Sequence, residues 1–324
     1  MKSFIFRLFG LVALCCLGCN YAALESDKML QKGLKLYEEN KIDLALVSFK
    51  NAVDRDPTND VALYYMALID MHYGDYQPAI QTLENALGAA PSALYWYTLG
   101  LAQKGNAEKY FEAGQYDEAD LSYTKCVRSM DQAIGMDKWY TEAHLEMARC
   151  RIGTKDYKRA AQAYQNAIVS NPNYKSEEGV TIHYKELGEL YARFGLYKPA
   201  KQVLFNGLKN NLADGQLETA YADICAGMEE YSEALAHYEG AYQSLTRGGA
   251  SKIPALSAMY GAGDVNFELA RKDARKNPDK AREYYVQSRK WLEMYSDAAL
   301  SDDERLRRSD ALAKMKTIDR ILAD

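Results

Sequence analysis

Apolar residues return along this chain at helical spacing in short bursts, and the bursts come in pairs. Over Asp60–Pro91 the first burst sets Leu63, Met66 and Ala67, with Asp70, on one face; the second sets Ala79, Leu83, Ala86 and Leu87 on another. Gly74-Asp75 separates them. The spacing predicts two short amphipathic helices. Pro78 falls in the first turn of the second helix, where no backbone N–H is needed, and Pro91 closes the unit. A pair this small cannot hide its own apolar faces, so it must stack on others like it.

The pattern recurs. Ala45, Phe49, Ala52 and Pro57 return 34 residues later as Ala79, Leu83, Ala86 and Pro91. Leu99-Gly100 with Tyr116 and Ala119 comes next, then Met147-Ala148 with Tyr157, Ala160, Tyr164, Ala167 and Pro172. Leu187-Gly188, Tyr191, Tyr197, Ala200, Leu204 and Gly207 follow, and 34 residues on stand Tyr221-Ala222, Tyr231, Ala234, Tyr238 and Ala241. In these residues the chain resembles the tetratricopeptide (TPR) family, whose 34-residue unit sets small residues where helices touch and large ones between. The resemblance covers roughly residues 26–290 in at least six units. It implies an all-α fold, a helix-turn-helix solenoid of about six to seven units closed by a C-terminal capping helix. It does not name a job, because one fold serves many functions.

Residues 26–248 divide into six units, of which the first departs from the pattern at Lys32. The third, 93–140, is long. Seven extra residues lie between Leu99-Gly100 and Gly114-Gln115-Tyr116, and seven more between Ala119 and Ala133-Ile134. Seven residues are nearly two turns, so both helices can lengthen in register into a hairpin projecting about 10 Å, with Ala107–Asp120 as its tip. Arg247–Ser251 is linker-like. Residues 249–300 form a degenerate unit whose remnants are Tyr260-Gly261, Ala281 and Tyr285, and whose first helix ends at Asn277-Pro278. Residues 301–324 form the expected capping helix, with Ser301 and Glu304 spaced as a capping box and Leu306, Leu312, Met315 and Ile318 as its apolar stripe.

The N-terminus has a different pattern. Lys2 and Arg7 precede an apolar run from Leu8 to Leu17, and Gly18-Cys19 follows. A basic start, a short apolar stretch and small residues describe a secretory signal. The run is shorter than the roughly 20 residues a membrane span needs. Leu17-Gly18-Cys19 resembles a bacterial lipobox, with Cys16 standing where that motif usually has Leu. The resemblance makes residues 1–19 a lipoprotein signal peptide with its cysteine and makes Cys19 the site of lipid attachment. Asn20 is compatible with export to an outer membrane. The expected location is therefore the cell envelope, lipid-anchored and facing the periplasm.

Charge excludes more than it assigns. The net charge of −5 moves to about −7 when residues 1–18, with Lys2 and Arg7, are removed, which gives no reason to expect nucleic acid. Cys126, Cys150 and Cys225 match no metal or redox motif and sit at packing positions, so three free core thiols are expected. Cys126 and Cys150 fall in adjacent units, where an oxidising periplasm also permits a bridge. The four histidines (His72, His144, His183, His237) lie in different units without ligand spacing. No metal, cofactor or catalytic group is expected, and the chain is read as not an enzyme.

What remains is surface. In TPR proteins the first helix of each unit lines a concave groove that receives peptides. The resemblance places Leu30, Leu34, Tyr64, Tyr65, Leu68, Met71, Tyr97 and Leu101 along its N-terminal half. Leu145, Glu146, Arg149, Lys185, Glu186, Glu189 and Arg193 follow further on. Tyrosine suits a surface that is apolar at one end and wet at the other. Leu30 and Leu34 replace the lysine and asparagine of the chaperone-tail clamp, which argues against a chaperone co-receptor. The expectation is a non-catalytic scaffold or adaptor lipoprotein that binds other envelope proteins through this groove. It is similar at family level to TPR lipoproteins of pilus-secretin assembly or of peptidoglycan-hydrolase recruitment. Two alternatives stand beside it: a structural homo-oligomer without a peptide ligand, and an enzyme in the degenerate C-terminal region.

Overall fold

Each predicted pair is a helical hairpin in the computed structural model, which describes residues 21–176, 179–211, 214–247, 253–299, 301 and 304–323. Residues 1–20, with the signal-like run and Cys19, lie outside the described residues, as does most of the 247–251 linker. The helices are α1 (21–38), α2 (Ile42–Arg55), α3 (Asp60–His72), α4 (Tyr76–Ala89), α5 (Ala93–Glu112), α6 (Tyr116–Met136), α7 (Thr141–Gly153), α8 (Tyr157–Ser170), α9 (Ile182–Arg193), α10 (Tyr197–Asn210), α11 (Gly215–Gly227), α12 (Tyr231–Leu245), α13 (Leu256–Asp273), α14 (Pro278–Ala298) and α15 (Arg305–Ala323). No strand occurs among the described residues. None of their helices is long and apolar enough to cross a membrane.

The chain forms two units, dividing between Ala163 and Tyr164 within α8. In the first, α2 through α7 pack each on the next. The seams are built from fully buried Ala45, Ala52, Ala79 and Ala86 around Phe49 and Leu83. Alanine lets the helices approach and the large residues fill between. At Gly33 the approach is close: a Cβ there would lie 2.6 Å from the Phe49 ring. Polar groups close the corners. Asn59 caps α3 by accepting from the Ala62 amide (2.9 Å) and donates to Ser26 Oγ (2.9 Å), which donates to the Ala52 carbonyl (2.9 Å).

The helices α5 and α6 run to 20 and 21 residues, against 13 and 14 for α3 and α4. The extra turns of α5 lean on α4, where Gly105 lies against the Tyr76 ring. Between them Ser129 Oγ donates to Gln103 Oε1 (2.8 Å) and Asn106 Nδ2 to Ser122 Oγ (3.3 Å). Contrary to the expectation of free thiols, Cys126 on α6 and Cys150 on α7 are joined by a disulfide, their Cα atoms 6.3 Å apart. The seam between α6 and α7 brings these two buried positions face to face. Cys225 is free and buried.

In the second unit α9 through α15 also pack consecutively, and α9, α11 and α13, the first helices of their pairs, touch in a row that the capping helix α15 ends. Asp214 caps α11 through Leu217 N (3.0 Å) and takes the Thr181 amide (2.6 Å), the same corner logic as Asn59. Asn277 caps α14. On α15 the apolar stripe differs from the one expected. Ala311, Met315, Ile318 and Leu322 face the core, whereas Leu306 is 86% exposed and Leu312 also faces outward. Spacing of four, three and four keeps the first set on one face, and Leu312 lies one position off it. Glu304 accepts the Tyr295 hydroxyl, the role a capping box would have given to a backbone amide.

Candidate partner-binding groove

The first helices of the first unit carry the predicted groove residues, and the structure sorts them into three kinds. Leu30 is buried (8% exposed) against Ala45 and Phe49, so it supports the wall and offers nothing to a ligand. Leu34 packs half-buried on the same cluster, and Met71 on the next. Leu68 and Leu101 are half-buried.

The tyrosines form a ladder. Tyr65 lies between Tyr37 (5.2 Å) and Phe49 (5.3 Å) and meets Tyr64 edge-on (5.6 Å), and Tyr64 stacks on Tyr95 (5.0 Å). Tyr95 donates to Asp60 Oδ2 (2.7 Å). Burial raises the Tyr64 and Tyr95 hydroxyls above the usual phenol range, so both stay neutral donors. Tyr97 stands apart from this ladder and pairs with Tyr140 (4.9 Å). The sequence reading missed Tyr37, Tyr95 and Tyr140. Tyr95 and Tyr97 are alternate residues of one helix and so point to different neighbours.

Charge gathers one repeat further on. Lys104 Nζ reaches Glu146 Oε2 (2.7 Å) and Glu108 (4.0 Å), and Arg149 pairs with the other Glu146 oxygen. Lys104 was also missed, although Tyr97, Leu101, Lys104 and Glu108 share one face of α5 at spacings of four, three and four. Glu146 is nearly buried, and its two cations satisfy it. Removing either partner would leave a costly charge in the wall.

The second unit has an inner cleft of its own, of about 400 Å3, lined by Lys185, Glu189, Thr219, Asp223, Ser257 and Arg307 among others. Lys185 pairs with Glu189 (2.8 Å), and Asp223 accepts the Tyr238 hydroxyl (2.5 Å). Protein packed around the cleft raises the Asp223 carboxyl to about 6, although water reaches it. Elsewhere in this unit the ligand atoms of Cys225, Glu230 and Glu233 lie within 4.8 Å of one another. There Lys201 Nζ already holds both carboxylates (2.6 and 2.8 Å), and burial pushes the Cys225 thiol up to about 11.

Residues 36–104 and 110–177 match the tetratricopeptide repeat family. This stretch, less than half of the chain, consists of tetratricopeptide repeats. Among solved structures, the C-terminal part of a TPR repeat-containing protein from Cytophaga hutchinsonii is similar at 12% identity, over 87% of this chain and 99% of that one, with a TM-score of 0.61. Pseudomonas aeruginosa pilF is similar at 17% identity over 71% and 93%, with a TM-score of 0.49. YrrB, described as a TPR protein with an unusual peptide-binding site, is similar at 17% identity over 58% and 87%, with a TM-score of 0.44. At 12% identity the likeness to the Cytophaga hutchinsonii structure is one of fold. No match was found among curated protein sequences. The TPR hairpins thus supply the scaffold, and the inner faces supply whatever is specific to this chain.

Proposed function

We propose that this protein is a non-catalytic scaffold of the bacterial envelope, tethered by lipid at Cys19, that holds a partner segment along the inner face of its first unit. The observation that carries the reading is the passage on that face from half-buried tyrosine and leucine (Tyr64, Leu68, Leu101) to the Lys104–Glu146–Arg149 cluster. Aromatic and aliphatic area gives affinity, and placed charges give register. A disulfide is rare in a reducing cytosol, so the Cys126–Cys150 bridge supports an extracytoplasmic location, as does the signal-like start. A role in pilus-secretin assembly or in recruiting peptidoglycan enzymes is the pathway this reading favours.

The test uses the native, anchored protein crosslinked in envelopes. Leu68→Glu with Leu101→Glu changes accessible side chains and leaves the tyrosine ladder intact. The double variant should lose the proteins crosslinked to wild type by about tenfold or more at unchanged helicity, since covering the exposed halves of two leucines contributes roughly 2 kcal/mol. Equal capture would move the site off this face. A stable dimer that captures no other protein would favour the homo-oligomer instead.

A further inference from the structure

The long edges of the first unit differ in what they expose. Antiparallel hairpins place the connections α2–α3, α4–α5 and α6–α7 along one edge, and contacts tie that edge together from end to end. Ser26 of α1 is bonded to Asn59, Asp60 to Tyr95, and the Tyr97 ring packs on Tyr140. The start of the described chain, Tyr21, lies at this edge, two residues beyond Cys19.

Along the same edge Leu94 (45%), Met136 (53%) and Trp139 (56%) are exposed, as are Tyr21 and Leu24. From Asn85 to Gln103 the sequence has no charged residue, so the whole α4–α5 corner is uncharged. The charges nearby are mixed in sign and largely occupied. Glu25 pairs with Lys28 (2.6 Å), Asp56 holds the Thr58 turn and Asp60 the Tyr95 hydroxyl. Asp137 accepts the Trp139 amide (3.0 Å), and Lys138 Nζ lies 5.0 Å over the Trp139 ring. Asp27, Asp54, Arg55 and Glu142 also stand at this edge.

We propose that this edge lies against a zwitterionic lipid surface, with Leu94, Met136 and Trp139 seated at headgroup depth. The proposal rests on the lipid-anchor reading for its tether. Two residues span at most about 7 Å, so an acyl chain at Cys19 would hold Tyr21 within reach of the headgroups. Tryptophan and tyrosine are the side chains that settle at that depth. The mixed charge gives no preference for anionic lipid. The opposite edge, with Phe111 and Tyr116 at the tip of the long hairpin, stands about 30 Å away along α5 and stays in water.

The experiment reads tryptophan quenching in the full-length protein reconstituted in phosphatidylcholine vesicles brominated near the headgroup. A protein with Trp96→Phe and Trp291→Phe keeps only Trp139. A second, with Trp96→Phe, Trp139→Phe, Trp291→Phe and Phe111→Trp, reports from the tip. Brominated lipid should cut Trp139 emission about twofold or more and leave the tip unchanged. Adding Leu94→Asp and Met136→Asp should restore the Trp139 signal. Mass spectrometry of the N-terminal peptide separates the two claims. Lipid on Cys19 with an unquenched Trp139, or equal quenching at the tip, overturns the edge and leaves the anchor. An unmodified Cys19 overturns the anchor. The chain from Asn20 onward, held by an N-terminal histidine tag on nickel-chelating vesicles, then decides the edge by the same readout.

Discussion

The inner faces of the two units rest on the same kind of hairpin and carry opposite chemistry. In the first unit, tyrosine rings stack from Tyr37 to Tyr95 and the ions close on one another around Glu146. In the second, the cleft is polar, with Asp223, Glu189, Lys185 and Arg307 around one opening. The bracing differs too: a disulfide joins α6 to α7 in the first, while buried His183 and the Asp214–Thr181 contact secure the start of the second. The repeat tolerates both because its packing residues, such as Ala79, Leu83, Ala200 and Leu204, face neighbouring helices and leave the inner positions free to vary. A shared fold here fixes where a partner can lie and leaves open what it must be.

The sharpest way to separate the units is to cut the bridge. A crosslink spanning 24 residues restricts the unfolded chain by about 3–4 kcal/mol. Cys126→Ala with Cys150→Ala, or reduction of the wild type, should therefore lower the stability of the first unit by about that much. The second unit should hold. Hydrogen exchange followed by mass spectrometry resolves the two, with faster exchange confined to the first unit. Loss of protection throughout α9–α14 as well would mean that the units do not unfold separately.

Acid should bear on the second unit next. Burial lowers His183 from 6.5 to about 4, against the opposing pull of the Asn171 and Pro172 backbone. Between those values the unfolded chain takes up a proton that the folded one refuses, so this contribution is complete above about pH 6.5 and is lost as pH falls towards 4. At pH 5 the loss is about 2 kcal/mol. Asp223 works the other way: with its carboxyl raised to about 6, the folded form binds a proton first, and stability gains as pH falls through 6. Water reaches Asp223, so its effect is the smaller. Urea titrations at pH 7 and pH 5 separate the two, since His183→Gln should flatten the acid loss and Asp223→Asn should deepen it. Identical pH slopes in wild type and both variants would refute the assignment.

The architecture was legible because its determinants are local. Alanine at 45, 52, 79 and 86, with Phe49 and Leu83 between, can be read from spacing alone. The groove was legible only in part. Leu30 and Leu34 have the same spacing whether they face a partner or the Phe49 cluster, and only packing tells them apart. Tyr95 could not be joined to Tyr64 from sequence, because a contact across 31 residues depends on how two repeats are rotated. The bridge was hidden for the same reason, since Cys126 and Cys150 meet across a seam between units. On α15, one position of helical phase separates Ala311, which is buried, from Leu312, which is not.

The finest comparison lies in the turns inside the hairpins. The residue that ends each first helix in the left-handed region is Gly74, Gly114 or Gly195 in some units, but Asn40, Lys155 or Glu229 in others. A Cβ in this conformation costs about 1 kcal/mol, part of which glycine returns through the freedom of its unfolded chain. Lys155→Gly should therefore stabilise the first unit by roughly 0.5 kcal/mol, read as a small rise in its urea midpoint. Glu229→Gly should gain less in the second unit, because it also gives up the ion pair to Lys272 (2.8 Å). That pair is exposed at both ends, where such contacts contribute little, so the two gains should differ only slightly. A loss of stability in the Lys155 variant would mean that its side chain does more at this turn than occupy an unfavourable conformation.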